Sequence, residues 1–134
     1  IEFTSTILID RNRMQHSVTE EETRERAAGV RSKLTRLEEQ LGAGPLFHGE
    51  VFSLVDAAIA PLFQRLAWCL ELAPDLGVLK GLPKVIAWSS ALLARESIKR
   101  STVPDIRERY FEYLQGKRGR NADGTQSWLG RLAA

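Results

Sequence analysis

The chain has 134 residues, 43% of them hydrophobic and 27% charged, with a formal net charge of +2; this fits one domain with one core and gives little long-range field to draw in a nucleic acid. No apolar run approaches the roughly 20 residues that span a bilayer and no signal-like segment opens the chain, so a cytoplasmic protein with no membrane contact is expected. A single cysteine, Cys69, excludes an internal disulfide, and with His16 and His48 it makes no metal-ligand spacing, so no metal is expected.

Residues 1–15 are ambiguous on local propensity, because Phe3, Thr4, Thr6, Ile7 and Ile9 favour strands. Thr19 followed by Glu22 has capping-box spacing and predicts a helix start. Ala27, Val30, Leu34, Leu37 and Leu41 then recur three and four apart as one apolar stripe, with Arg24, Arg31, Glu38 and Glu39 off it, until Gly42, Gly44 and Pro45 stop the pattern.

Ser53 and Asp56 form a second capping box, and the segment after them is apolar nearly all round, which predicts a central buried helix. Gln64 and Arg65 interrupt its apolar surface, Pro61 should bend it, and it should end before Pro74. Pro83 opens a further helix whose Val85, Trp88 and Leu92 share a face, widened by Ile86 and Leu93. Thr102 with Asp105 marks a third cap, ahead of a stripe of Ile106, Tyr110, Tyr113 and Leu114. Gly116 and Gly119 end the regular pattern, and Trp128, Leu129 and Leu132 are expected to fold back as a latch, so that residues 115–134 form a tail packed on a single domain over 1–134.

The string from Phe52 through Ser53, Asp56 and Ala60 to Pro61 resembles the capping motif of the glutathione transferase C-terminal domain, where a Ser or Thr caps the central helix and an Asp follows three residues on. Leu82-Pro83, Trp88 and the Ala94-Arg95-Glu96-Ser97 segment are similar to that family's next helix, with Glu96 where a proline is usual. The resemblance implies an all-α helical bundle around the helix that starts at Ser53, and it implies that residues 1–15 are helix. It also implies a parent protein that conjugates or reduces small hydrophobic electrophiles, with glutathione as co-substrate. That family's thioredoxin-like domain, with its glutathione site and thiol-activating Ser, Tyr or Cys, is not in this sequence. The chain alone is therefore expected to bind no cofactor, to carry no catalytic residue and to be inactive, consistent with a fragment that opens at Ile1.

Ser53 and Asp56 are assigned to structural capping, since neither histidine has a context that would complete a hydrolytic triad. Cys69 reads as a small buried hydrophobe, and the basic stretch from Arg95 to Arg120, interleaved with acids, reads as a solvated face. Arg65 stands out, because an arginine in an apolar helix must reach solvent, a carboxylate or a ligand. It shares a face with Trp68 and Cys69. By the resemblance, Thr4, Ser5, Leu8, Arg65 and Trp68 are the candidate substrate-binding residues. The resemblance also implies a homodimer through the first two helices, where Arg24, Glu25, Arg31, Glu38 and Glu39 could pair across a two-fold axis. The alternative from another class is a non-catalytic interaction module, as in related domains of elongation-factor complexes and aminoacyl-tRNA synthetases.

Overall fold

A computed structural model describes residues 2–116 and 121–133; Ile1 and Gly119 therefore lie outside the described residues. The first helix, α1 (Glu2–His16), spans the segment whose propensity favoured strands. Its β-branched residues are accommodated because tertiary packing overrides local preference: Ile7 and Met14 are fully buried against the next helix. That helix, α2 (Glu20–Gln40), begins at the Thr19 cap, where the Glu22 amide donates to Thr19 Oγ1 at 3.0 Å. Its stripe of Ala27, Val30, Leu34 and Leu37 is buried as the spacing predicts, and Lys33 reaches Asp10 of α1 at 2.6 Å.

A loop with two isolated antiparallel bridges, Leu46 to Gly49 and His48 to Val51, leads into α3 (Leu54–Leu72). This helix packs on α1, α2's partner helix α4 (Pro83–Ala94), and α7 (Trp128–Ala133), which puts Ile59, Leu62, Phe63 and Leu66 in the centre of the core. The all-α architecture is thus built around the helix that Ser53 opens, and no strand occurs among the described residues. α3 ends before Pro74, as expected, and a short 3-10 turn, Pro74–Leu76, follows it.

Helix α4 opens on Pro83, and its Trp88 meets Phe63 edge to face at 5.1 Å. A one-turn helix α5 (Glu96–Arg100) follows, which the apolar pattern does not announce because it contributes no fully buried residue. Helix α6 (Ile106–Gln115) starts after Asp105 and buries Tyr110 and Leu114; Tyr113, on the edge of that stripe, stays 37% exposed. Leu129 of α7 is fully buried, whereas Leu132 points to solvent, so the fold-back rests on Leu129. The Trp128 amide donates to the Ser17 carbonyl at 2.9 Å and ties α7 to the end of α1.

Three of the five charged residues of α2 expected to pair across a two-fold axis are engaged within the chain. Arg24 pairs with Asp75 at 2.7 Å and Glu20 at 3.1 Å, Arg31 donates to the carbonyls of Gly77, Val78 and Lys80, and Glu38 accepts from α4. Glu25 and Glu39 remain on the exposed surface.

Candidate functional site

A cavity of about 480 Å³ lies along one face of α3. Ala57, Ala60, Pro61, Gln64 and Arg65 form its first wall, because residues three, four, seven and eight apart lie on one face of a helix. The opposing wall is α5 and the turn after it, through Ser97, Ile98, Ser101 and Thr102, and Phe52 closes one end. Small side chains at 57 and 60 leave the space that larger ones would fill. Pro61 adds to this, since it has no N–H for the Ala57 carbonyl one turn before it.

The polar groups of the cavity are few. Arg65 is the charged residue of the lining and no carboxylate lines it. Its Nη1 donates to the Pro61 carbonyl at 3.4 Å, and among the described residues it forms no ion pair. A second guanidinium stands behind the wall, Arg95 lying 4.2 Å over the Phe52 ring.

Of the candidate residues, Arg65 lines this cavity. Trp68, one turn on, is 8% exposed and packs at 5.1 Å against Tyr110, so it backs the site from within the core. Thr4 is buried and lines a separate cavity of about 250 Å³ with Phe3, Arg36, Leu37 and Phe47. Leu8 is half-buried against the core and Ser5 is exposed. The structure therefore does not bring the α1 candidates into the cavity that holds Arg65. Ala57, Ala60 and Gln64 share Arg65's helical face and were legible by spacing. Ser97 and Thr102 stood out in the sequence only as part of the segment that resembles the family's next helix and as a helix cap, and Ser101 not at all, so nothing marked them as lining.

Ser53 and Asp56 lie just beyond the cavity and do different work. Asp56 is fully buried, and its carboxylate accepts from the Ser53 amide (2.8 Å), the Ser53 hydroxyl (2.9 Å), the Phe47 amide (3.1 Å) and the Trp88 indole (2.8 Å). Burial alone would push this carboxyl up, but the hydrogen bonds from Phe47, Trp88 and Ser53 outweigh it and hold it below the usual range. An anion with every acceptor lobe committed inside the fold is a structural anchor.

Cys69 is likewise committed. Its thiol sits 3.3 Å from the Tyr110 hydroxyl, which donates to Gln15 Oε1 at 2.5 Å, and buried Arg11 donates to the same oxygen at 2.6 Å. Burial pushes the Cys69 thiol up, with Tyr110 and Arg11 countering it in part. Burial, and then Cys69, push the Tyr110 phenol up, against the nearby cations of Arg11 and Arg65. Both groups stay protonated at neutral pH, so neither offers an anionic nucleophile. Among the described residues, no cluster of three His, Cys, Asp or Glu could hold a metal ion, and no helix is long and apolar enough to cross a membrane.

A family model described as "Glutathione S-transferase, C-terminal domain" matches residues 20–91, more than half of the chain. This chain belongs to that family. The match takes in α2, the Ser53–Asp56 anchor and the whole α3 wall of the cavity, and it stops before the α5 wall. Glutathione S-transferase U28 of Arabidopsis thaliana is 32% identical over 79 residues, which is 59% of this chain and 34% of the plant protein. The aligned stretch thus spans about a third of that relative's length. No solved structure gives a significant match. Glutathione is the family's co-substrate; in this glutathione transferase domain the α3 wall lies within the matched region and the Ser97–Thr102 wall lies outside it.

Proposed function

We propose that this domain supplies the seat for a small hydrophobic electrophile in a cytoplasmic glutathione transferase, where conjugation or reduction uses a thiol held by a separate thioredoxin-like domain. The observation that carries the reading is the 480 Å³ cavity on the α3 face, apolar in its floor and within the range of small-molecule sites. Proximity and a desolvated pocket are what such a half-site contributes, while the thiolate is activated elsewhere. The protonated states of Cys69 and Tyr110 support this division of labour, as does the commitment of Asp56 to the fold. Leu54 and Val51, 74% and 68% exposed on either side of the lining residue Phe52 in the sequence, are apolar surface that a companion domain would cover. In the same reading residues 115–134 belong to this one domain, and the protein forms a homodimer through α1 and α2.

The test uses a neutral aromatic ligand, N-phenylnaphthylamine, followed by its fluorescence with the 134-residue chain. Saturable binding that is lost in Ala57→Trp, which fills the cavity from an exposed helix position, supports the reading. Binding that Ala57→Trp leaves intact overturns it. The same chain mixed with glutathione and a chloronitrobenzene electrophile should give no turnover, and turnover by this chain alone would place the activating group here.

A further inference from the structure

We infer that α5 is a flap that opens and closes the α3 cavity, with the stack of Arg95 on Phe52 as its latch. The inference rests on the reading of this cavity as a ligand seat and adds how a ligand enters and leaves it. The two walls are built differently. Helix α3 carries the centre of the core, whereas no residue of α5 is buried. Ile98, and Thr102 just after the helix, are half-buried and line the cavity; the rest of 96–105 is exposed. The polar bonds of this stretch are local. The Arg95 carbonyl accepts from the Ile98 and Lys99 amides, the Ser101 amide and hydroxyl donate to the Ile98 carbonyl, and Arg100 Nε donates to the Glu96 carbonyl. Lys99 pairs with Glu96, and Arg109 with Asp105. Among the described residues, no hydrogen bond or ion pair ties 96–105 to α1, α2 or α3.

What does cross to the fixed wall is the Arg95 guanidinium, 4.2 Å from the centre of the Phe52 ring. Arg95 is the joint of the flap: extended at φ −69° and ψ 134°, it ends α4 and precedes α5. Phe52 closes one end of the cavity and stands just before the Ser53 cap of α3. A single helical turn with little buried apolar surface belongs to the parts of a protein that open locally at small cost. Swinging it out breaks no hydrogen bond to α3. It uncovers Ile98 and the Ala57 and Ala60 surface, and it parts a cation from an aromatic face. An apolar ligand on Ala57 and Ala60 meets Ile98 when the flap closes over it, which removes that surface from water again. The stack is made in the closed state with or without a ligand. It therefore sets how often the cavity opens and leaves the affinity nearly unchanged, so that its loss speeds entry and exit together.

Stopped-flow fluorescence of N-phenylnaphthylamine with the 134-residue chain reads the latch. Arg95→Gln and Phe52→Leu should each raise the association and dissociation rates about two- to fivefold, the span that an exposed cation–π contact supports. The dissociation constant should move by less than about twofold, because closed states with and without the probe lose the same contact. In the double variant the rates should match those of the single ones, since both changes remove one interaction. Arg95→Lys, which keeps a cation for the ring, should stay near the wild type. Amide hydrogen exchange tests the flap without any probe. Residues 98–101 should exchange faster than 88–92 of α4 and faster still in Arg95→Gln, whose exposed site spares the fold. Rates that both single variants leave unchanged, or effects that add in the double variant, would overturn the latch. Amides of α5 that exchange only together with those of α4 would overturn the flap. If Ala57→Trp spares probe binding, the seat is misplaced, and exchange in α5 with and without Arg95→Gln still decides whether the wall moves.

Discussion

Trp88 Nε1 donates to Asp56 Oδ1 at 2.8 Å, so the middle of α4 is fastened to the first turn of α3 through the interior. The bond joins the largest fully buried side chain to a carboxylate that has no cationic partner among the described residues. Removing the donor leaves that carboxylate three partners out of four. Trp88→Phe should therefore destabilise the chain by about 2 kcal/mol or more, combining a lost charge-assisted hydrogen bond with a small void. Asp56→Ala should cost on the order of 3 kcal/mol, since it bares the Phe47 amide, the Ser53 amide and the indole together. Chemical denaturation read by Trp fluorescence and circular dichroism measures both. In the double variant the two losses should fall short of their sum, because the residues share one interaction.

The same carboxylate sets an acid limit. Its folded pKa lies below the ordinary value of 3.8, so its contribution is complete above the unfolded pKa and is lost as pH falls through the folded one. Thermal stability should be level above about pH 5 and drop steeply below about pH 4. Asp56→Asn, though less stable throughout, should show a shallower acid limb. The lowered carboxyls of Asp75 and Asp105 are solvent-exposed beside Arg24 and Arg109, and their replacement should leave the limb in place.

What the sequence revealed and what it hid follow from the range of each interaction. The caps at Thr19 and Ser53 and the stripe from Ala27 to Leu37 depend on neighbours within one or two turns, so spacing exposes them. The strand-favouring residues of α1 misdirect local propensity, because the burial of Ile7 and Met14 against α2 decides their state. Arg65 announced itself as a charge in an apolar helix, and it does line the cavity. Its opposing wall at Ser97 to Thr102 is more than thirty residues away in sequence. Such a pairing is set by how α5 folds back after α4 and leaves no periodic trace.

Glu38 illustrates the same point and gives a prediction. Its carboxylate accepts from the Lys84 amide at 3.1 Å and the Val85 amide at 2.8 Å, the first N–H groups of α4, since Pro83 has none. A surface charge on α2 is thus the N-terminal cap of another helix, placed where the helix dipole favours an anion. Glu38→Ala should cost about 1 kcal/mol, and Glu38→Gln, which retains an acceptor but not the charge, roughly half as much. Amide hydrogen exchange at Lys84 and Val85 should accelerate in Glu38→Ala while that of α2 changes little. Uniform acceleration over both helices would argue against a capping role.

The closure of α7 depends on a close approach at Gly130. A Cβ built there would stand 2.6 Å from the Leu114 carbonyl oxygen and 3.0 Å from Ser127 Oγ, which accepts the Gly130 amide. The obstacle at Leu114 is backbone of α6 and cannot swing away as a side chain would. Gly130→Ala must therefore lift α7 from α6, exposing Leu129, which is otherwise fully buried. A loss of about 1–3 kcal/mol is expected, the usual range for forcing an extra methyl into packed structure. Limited proteolysis should cut the variant ahead of Trp128 long before the wild type, with residues 2–116 resisting. Since α7 also leans on α1 and α3, the Arg131 guanidinium would lose its 2.5 Å bond to the Val18 carbonyl at the same time. Arg131→Ala alone should open the tail far less than Gly130→Ala, because Arg131 is exposed and a solvated bond is worth less than the buried contact of Leu129.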